Sequence, residues 1–168
     1  MWLRAREAPR TGIGFDIHPL GPGQGVRLGG VDIPCPYRLE GYSDADVVAH
    51  AAMDAILGAA AMGDIGGLYP PGDPQWSGAD SIRLLSITWQ KVGDAGYELV
   101  NLDVSVVAEV PRLSPHFLRM RAALATALGC DLAQVNVKAT TCEALGALGR
   151  REGIAALATA TIRQAGET

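Results

Sequence analysis

GYSDADVVAHAAMDAILGAAAMGDIGG, residues 41–67, packs more unusual chemistry into one predicted helix than the remainder of the chain. Val47, Val48, Ala51, Ala52, Ala55, Ile56 and Ala59 fall at helical spacing and supply a small, apolar surface for burial. Asp46, His50 and Asp54 recur every four residues, which stacks three polar side chains along one stripe. Ser43 or Asp44 is expected to cap the start, and Gly63 to mark the end. A histidine in such surroundings needs a partner for each ring nitrogen. A metal ion is one such partner, and a half-exposed ring beside solvated carboxylates is the alternative.

Upstream, GIGFDIHPL (12–20) places Asp16 and His18 at alternate positions of a predicted strand, hence on one face. Carboxylate oxygen and imidazole nitrogen are common zinc ligands. Asp16, His18 and His50 together would form a three-ligand tetrahedral site with its fourth position open, which points to catalysis or substrate binding.

The other segments read as follows. Thr11 to Ile17 is a strand, Gly21 to Gly25 a loop, and Val26 to Ile33 a short hairpin about Gly29-Gly30 that ends at Pro34 and Pro36. After the central helix, the turn at Asp64 to Gly67 leads into LYPPGDPQWSG (68–78), an irregular stretch of the kind that forms binding loops and lids. Helical periodicity resumes over Asp80 to Val92, and Glu98 to Glu109 alternates as a long strand. Val110 to Pro115 is a loop, His116 to Leu128 a helix stopped by Gly129, and Gln134 to Thr140 a strand. Glu143 to Arg151 reads as a glycine-containing loop and Ile154 to Arg163 as the last strand. This order predicts an α+β sandwich, with helices on one face of a mixed sheet. Residues 1–10 are expected to be an N-terminal extension to a single domain over 11–165.

At 168 residues the chain has the length of one domain. Hydrophobic residues make up 48% but aromatics only 5%, so the core is expected to rely on small side chains and close backbone approach. A net charge of −4 argues against broad contact with nucleic acid or an anionic membrane. Cys35, Cys130 and Cys142 are odd in number and lack metal-type pairing, which argues against a disulfide framework and for a reducing, cytoplasmic home. The first ten residues lack the apolar segment of a secretory signal, and no stretch has the length of a membrane span.

Taken together, GIGFDIH (12–18), SDADVVAHAAMDAILGAAAMGDIG (43–66), the loop with Asp73-Pro74, NVKATT (136–141) and GRREG (149–153) resemble the 2-C-methyl-D-erythritol 2,4-cyclodiphosphate synthase family of the non-mevalonate isoprenoid pathway. The resemblance extends from Gly12 to Arg163. It implies a ring closure in which the 2-phosphate of 4-diphosphocytidyl-2-C-methyl-D-erythritol 2-phosphate attacks the β-phosphorus and CMP leaves. It also implies zinc, or another divalent transition metal, at Asp16, His18 and His50. A second cation, magnesium or manganese, is implied at Glu143.

The residue types agree with such chemistry. A phosphate nucleophile is already ionised, so positioning and charge neutralisation must dominate over general base catalysis. The resemblance gives Thr141 a transition-state role, paired with a position that is usually histidine in the family and is Tyr42 here. Tyrosine donates a hydrogen bond but does not become cationic near neutrality, so its help should be smaller and less pH-sensitive. Thr140 and Ser43 are further phosphate donors. Asp64, Ile65 and Gly66 would meet the ribose. Ala108, Pro111, Arg112 and Leu113 would meet the cytosine and the α/β phosphates, and Tyr69 to Asp73 would form a flexible lid. Asp46 is expected near the substrate or orienting His18, with Asp54 in a supporting role. The family forms trimers with sites between subunits and an apolar central channel. Some members bind an isoprenoid diphosphate there, through an arginine that is Arg150 here and an aromatic that is Ala147 here. Two rival readings are a zinc phosphohydrolase of other specificity and a non-enzymatic trimeric binder of isoprenoid diphosphates.

Overall fold

The computed structural model describes residues 8–166. Its layering follows from a close contact between strand β1 (Arg10–Pro22) and helix α1 (Val47–Ala60). A Cβ on Gly12 would stand 2.1 Å from the Ala55 carbonyl oxygen, so only a bare backbone lets the helix lie so near. Gly14 stands in the same relation to Ala51. On the helix side, Ala51, Ala55 and Ala59 are all buried at four-residue intervals. The small-residue core expected from composition is thus present, and α1 is buried almost all round.

The sheet has the order β4-β1-β7-β5-β6, with β4 (Tyr37–Leu39), β5 (Tyr97–Val107), β6 (Val135–Thr140) and β7 (Gly153–Gln164). Neighbours are antiparallel except β5 and β6, which are parallel and joined through α4 (Phe117–Leu128). The sheet is therefore mixed, as expected. Helices α1, α3 (Ser81–Asp94) and α4 pack over one face, whose residues Leu102, Val104, Val106, Ala158 and Ala160 are buried. On the opposite face Ile13, Phe15, Ile17 and Leu157 remain exposed. A separate hairpin, β2 (Val26–Leu28) and β3 (Val31–Ile33), turns at Gly29-Gly30, both at positive φ. Two short helices, α2 (Ile65–Leu68) and α5 (Gly146–Gly149), lie where turns and loops were expected.

Several boundaries differ from the sequence reading for identifiable reasons. β1 continues beyond Ile17 because it pairs with β7 as far as Pro19 and then with β4 over Leu20–Pro22. β4 begins just beyond the prolines that suggested termination, which end the hairpin without entering the new edge strand. α1 stops at Ala60, since Ala61 takes a left-handed φ of 58°. Neither Ser43 nor Asp44 caps α1. Asp46 does, accepting from the Val48 and Ala49 N–H groups at 3.1 Å each. In β5 the apolar spacing slips between Leu99 and Leu102 because the register shifts between Leu99 and Asn101. Of the expected N-terminal extension, residues 1–7 lie outside the described residues, and Arg10 already belongs to β1. The three cysteines are free thiols, and among the described residues no helix is long and apolar enough to cross a membrane.

Candidate metal centre

β1 alternates apolar and polar side chains, so Asp16 and His18 share the helix-facing side, and the Gly12 and Gly14 contact brings α1 down beside them. His50 Nδ1 lies 2.9 Å from Asp16 Oδ2, His18 Nε2 lies 3.1 Å from the same oxygen, and the two ring nitrogens are 3.2 Å apart. The three residues therefore converge as the spacing suggested, and they form a group able to hold a metal ion.

Donor accounting shows that the group fits a cation. His18 Nδ1 is 3.0 Å from the Glu40 carbonyl oxygen, which only accepts, so the ring hydrogen sits on Nδ1 and Nε2 presents a lone pair. That lone pair faces a carboxylate oxygen and a second imidazole nitrogen. Negative and lone-pair density thus accumulates where a positive ion, or an added proton, must balance it. The electrostatics agree. Burial alone would raise Asp16, yet once a proton is added to the facing imidazole nitrogens, hydrogen bonds and charge from His18 and His50 outweigh it and hold the carboxyl well below its usual range. The bond to Asp16 lifts His18 above the ordinary imidazole value in spite of burial.

The group opens onto a cavity of about 240 Å³ walled by Tyr42, Ser43, Met53, Ile65, Gly66, Tyr69, Pro71, Trp76 and Leu84. Its wall is mainly apolar. Tyr69, expected in a flexible lid, is anchored. Its hydroxyl meets Thr88 Oγ1 at 2.9 Å and donates to the Leu84 carbonyl at 3.1 Å, while its ring stands edge-on to Trp76. Asp64 and Asp73 serve as local caps, accepting from Gly67 N and Gln75 N.

A second depression is formed by Ala108, Pro111, Arg112, Leu113, Thr140, Thr141 and their neighbours, at the C-terminal ends of the parallel strands β5 and β6. Glu143 adjoins it, its N–H donating to Thr141 Oγ1 at 3.2 Å and its carboxylate 3.4 Å from the same hydroxyl. The two depressions share no lining residue. A single chain thus brings together Asp16, His18, His50, Tyr42, Ser43, Ile65, Gly66 and Tyr69, and separately groups the Ala108–Glu143 set. Ala147 and Arg150 belong to neither; Arg150 Nε pairs with Glu152 at 2.6 Å.

Asp46 requires a correction. Its side chain is wholly buried and bonds neither His18 nor the cavity. Besides capping α1, it accepts from Gly29 N at 2.8 Å and Gly30 N at 2.7 Å, which ties the hairpin to the helix start. His18 is oriented instead by the Glu40 carbonyl. Asp54 accepts from Ile65 N at 2.8 Å, fixing the turn after α1. Ser81, which the sequence reading passed over, lies 2.9 Å from His50 Nε2. In sequence, Ala79-Asp80-Ser81 shows only the start of a helix, and Asp80 does cap it.

The fold and site define an α+β protein in which two imidazoles and a carboxylate form a candidate cation centre beside an apolar cavity. The model of the YgbB family matches residues 9–163, and the chain belongs to that family. A 2-C-methyl-D-erythritol 2,4-cyclodiphosphate synthase from Cronobacter sakazakii is 50% identical over 157 residues, 94% of this chain and 99% of that protein. The bifunctional enzyme IspD/IspF of Novosphingobium aromaticivorans is 54% identical over 154 residues, 92% of this chain but 40% of that protein's length. Among solved structures, the IspF (Plasmodium falciparum) CDP complex superposes with a TM-score of 0.83 at 29% identity, covering 95% of this chain and 99% of that one.

Proposed function

We infer that this chain converts 4-diphosphocytidyl-2-C-methyl-D-erythritol 2-phosphate into 2-C-methyl-D-erythritol 2,4-cyclodiphosphate and CMP, as a phosphorus-oxygen lyase. The observation that carries the reading is the convergence of Asp16, His18 and His50 at one end of an apolar cavity, in a chain so similar to named synthases. In the reaction the 2-phosphate oxygen forms a bond to the β-phosphorus, and the bond from that phosphorus to the CMP oxygen breaks. Asp16, His18 and His50 would hold zinc or another divalent transition metal and Glu143 magnesium or manganese, which when bound supply positive charge to the diphosphate oxygens.

The chain's own groups bind and orient. Tyr42 and Ser43 line the cavity, where their hydroxyls would donate to phosphate oxygens. Thr140 and Thr141 do the same at the other depression, and Arg112 meets the α/β phosphates there. Asp64 to Gly66 receive the ribose, and the cytosine edge is read along Ala108, Pro111 and Leu113. The apolar wall of Met53, Tyr69, Trp76 and Leu84 encloses the methylerythritol portion and excludes water. The CDP complex of the structural relative supports a cytidine ligand.

Assembly as a trimer completes the proposal. It is supported by the uncovered sheet face, where Ile13 is 66%, Phe15 58%, Ile17 48% and Leu157 41% exposed, and by two depressions that stay apart within one chain. Ala147 and Arg150, both exposed, would border the central channel. Three free thiols suit a cytoplasmic setting. The test is product analysis. Phosphorus NMR of the metal-supplied chain with the cytidylyl substrate is expected to show the cyclic diphosphate rising with CMP. Linear phosphates alone would overturn the reading.

A further inference from the structure

Hydrogen bonds also hold the side of the His50 ring that faces away from Asp16 and His18. Nε2 lies 2.9 Å from Ser81 Oγ and 3.1 Å from Ser43 Oγ. Ser81 is fully buried at the first position of α3. Its hydroxyl makes a short hydrogen bond to Asp44 Oδ1, and its backbone N–H donates to Asp44 Oδ2 at 3.0 Å. The Asp44 side chain also accepts from Asp46 N at 3.3 Å and lies 3.2 Å from Arg27 Nε, an ion-pair contact. Arg27 is itself held by Asp32 at 3.0 Å and Asp80 at 3.1 Å.

These contacts fix the direction of each hydrogen. Every group that meets the Asp44 side chain is a donor or a cation, so Asp44 accepts and the Ser81 hydroxyl hydrogen is directed to it. Ser81 then offers His50 a lone pair. That requires a hydrogen on His50 Nε2, so that in the neutral ring Nδ1 is the bare nitrogen towards Asp16 and His18. Ser43 does not perform this task equally. Its oxygen is the farther of the two, already accepts from Ala45 N at 3.3 Å, and lines the cavity where a ligand can use its hydroxyl.

We propose that Ser81, held from behind by Asp44 and Arg27, is the positioning residue that fixes the tautomer and orientation of His50, so that Nδ1 faces a divalent cation shared with Asp16 and His18. The proposal rests on reading those three residues as a cation centre. A ligating imidazole whose other nitrogen donates to a fixed acceptor is oriented and made a better ligand, and loss of such a partner typically weakens metal binding about 10- to 100-fold. The link joins β2, the segment before α1 and the start of α3, so the ring is braced by three separate parts of the chain.

The test is zinc titration of the full chain against a chromophoric chelator, together with NMR of histidine-labelled, zinc-free protein. Ser81→Ala is expected to weaken zinc binding about 10- to 100-fold and to turn the His50 ring from the Nε2–H form into a mixture of tautomers. Asp44→Asn, which keeps the size of the side chain, is expected to shift both readings the same way and decides the matter should Ser81→Ala not fold. Leu85→Ala, in the buried part of α3 away from the cavity, should lower Tm and change neither. The proposal is overturned if both relay variants bind zinc as the parent does with His50 still in the Nε2–H form. It is equally overturned if Leu85→Ala loses affinity in the same proportion to its fall in Tm. A parent that fails to bind zinc removes the cation-centre reading itself, whereas a binding parent with indifferent variants removes only the role of Ser81.

Discussion

Gly14 of β1 faces the Ala51 carbonyl so closely that a Cβ there would stand 2.0 Å from that oxygen. Two residues further along the strand is Asp16, and one residue before Ala51 is His50, so this contact sets the distance between two residues of the candidate cation centre. Gly14→Ala is expected to cost about 1–3 kcal/mol of stability, the usual range for overpacking, and to weaken zinc binding by spreading the ligands. Urea denaturation and zinc titration check this. An unchanged midpoint with unchanged affinity would show that α1 shifts freely.

The Asp16 and His18 pair gives the metal-free protein a pH dependence of definite sign. Asp16 is depressed, so its contribution is present above the ordinary carboxyl value and lost as pH falls through its folded value. His18 is raised, so its contribution is full below the ordinary imidazole value and lost as pH rises through its folded value. The stability advantage of the zinc-free parent over His18→Gln should therefore be greatest between about pH 4 and 6.5 and shrink above that. Denaturation curves of both proteins over pH 4–8 measure it, and an advantage that grows with pH contradicts the pairing.

Burial raises the Asp46 carboxyl against the pull of the backbone N–H groups around it. Asp46→Ala strands those of Gly29 and Gly30 and removes the α1 cap, at a cost of roughly 2–5 kcal/mol. Asp46→Asn offers one carbonyl oxygen where two carboxylate oxygens now accept, and should cost about half as much. Chemical denaturation decides, and a loss below about 1 kcal/mol for the alanine variant would contradict the structural role.

Tyr42 stands at the cavity mouth where the family resemblance implies histidine. Tyr42→His introduces a group able to carry charge towards phosphate, and turnover is expected to rise about threefold with KM nearly unchanged. A collapse of kcat would mean that the phenol has a task of its own.

The separation of the two depressions predicts complementation. His18→Gln, which damages the triad, and Glu143→Gln, which damages the other depression, should each abolish most activity. Copies of the two dissociated and reassembled together should regain a substantial part of it, because sites arise that pair an intact triad with an intact Glu143. No recovery would place both halves of the site in one chain.

Much of this was legible in the residues. Asp16, His18 and His50 lie on elements whose periodicity is strong, so strand alternation and helix burial together bring them to one place. The helices over Asp80 to Val92 and His116 to Leu128 were legible for the same reason. Asp46 misled because a spacing of four fits an N-cap as well as a helical stripe, and burial decides between them. The Glu40 carbonyl that orients His18 is backbone and leaves no mark in sequence. Ser81 resembles any residue at a helix start, and only the packing of α3 against α1 brings it to His50. Tyr69 sat among prolines and glycines, where its bonds to Leu84 and Thr88 have no local signal.

In β1 the even-numbered residues 12 to 18 meet the helix or belong to the candidate cation centre, while Ile13, Phe15 and Ile17 look outward. Deleting or inserting a single residue there would exchange those duties, thrusting phenylalanine against α1 and stranding the carboxylate outside. The count of residues between Gly12 and His18 is therefore as binding as their identity, and evolution can retouch this segment by substitution but not by changes of length.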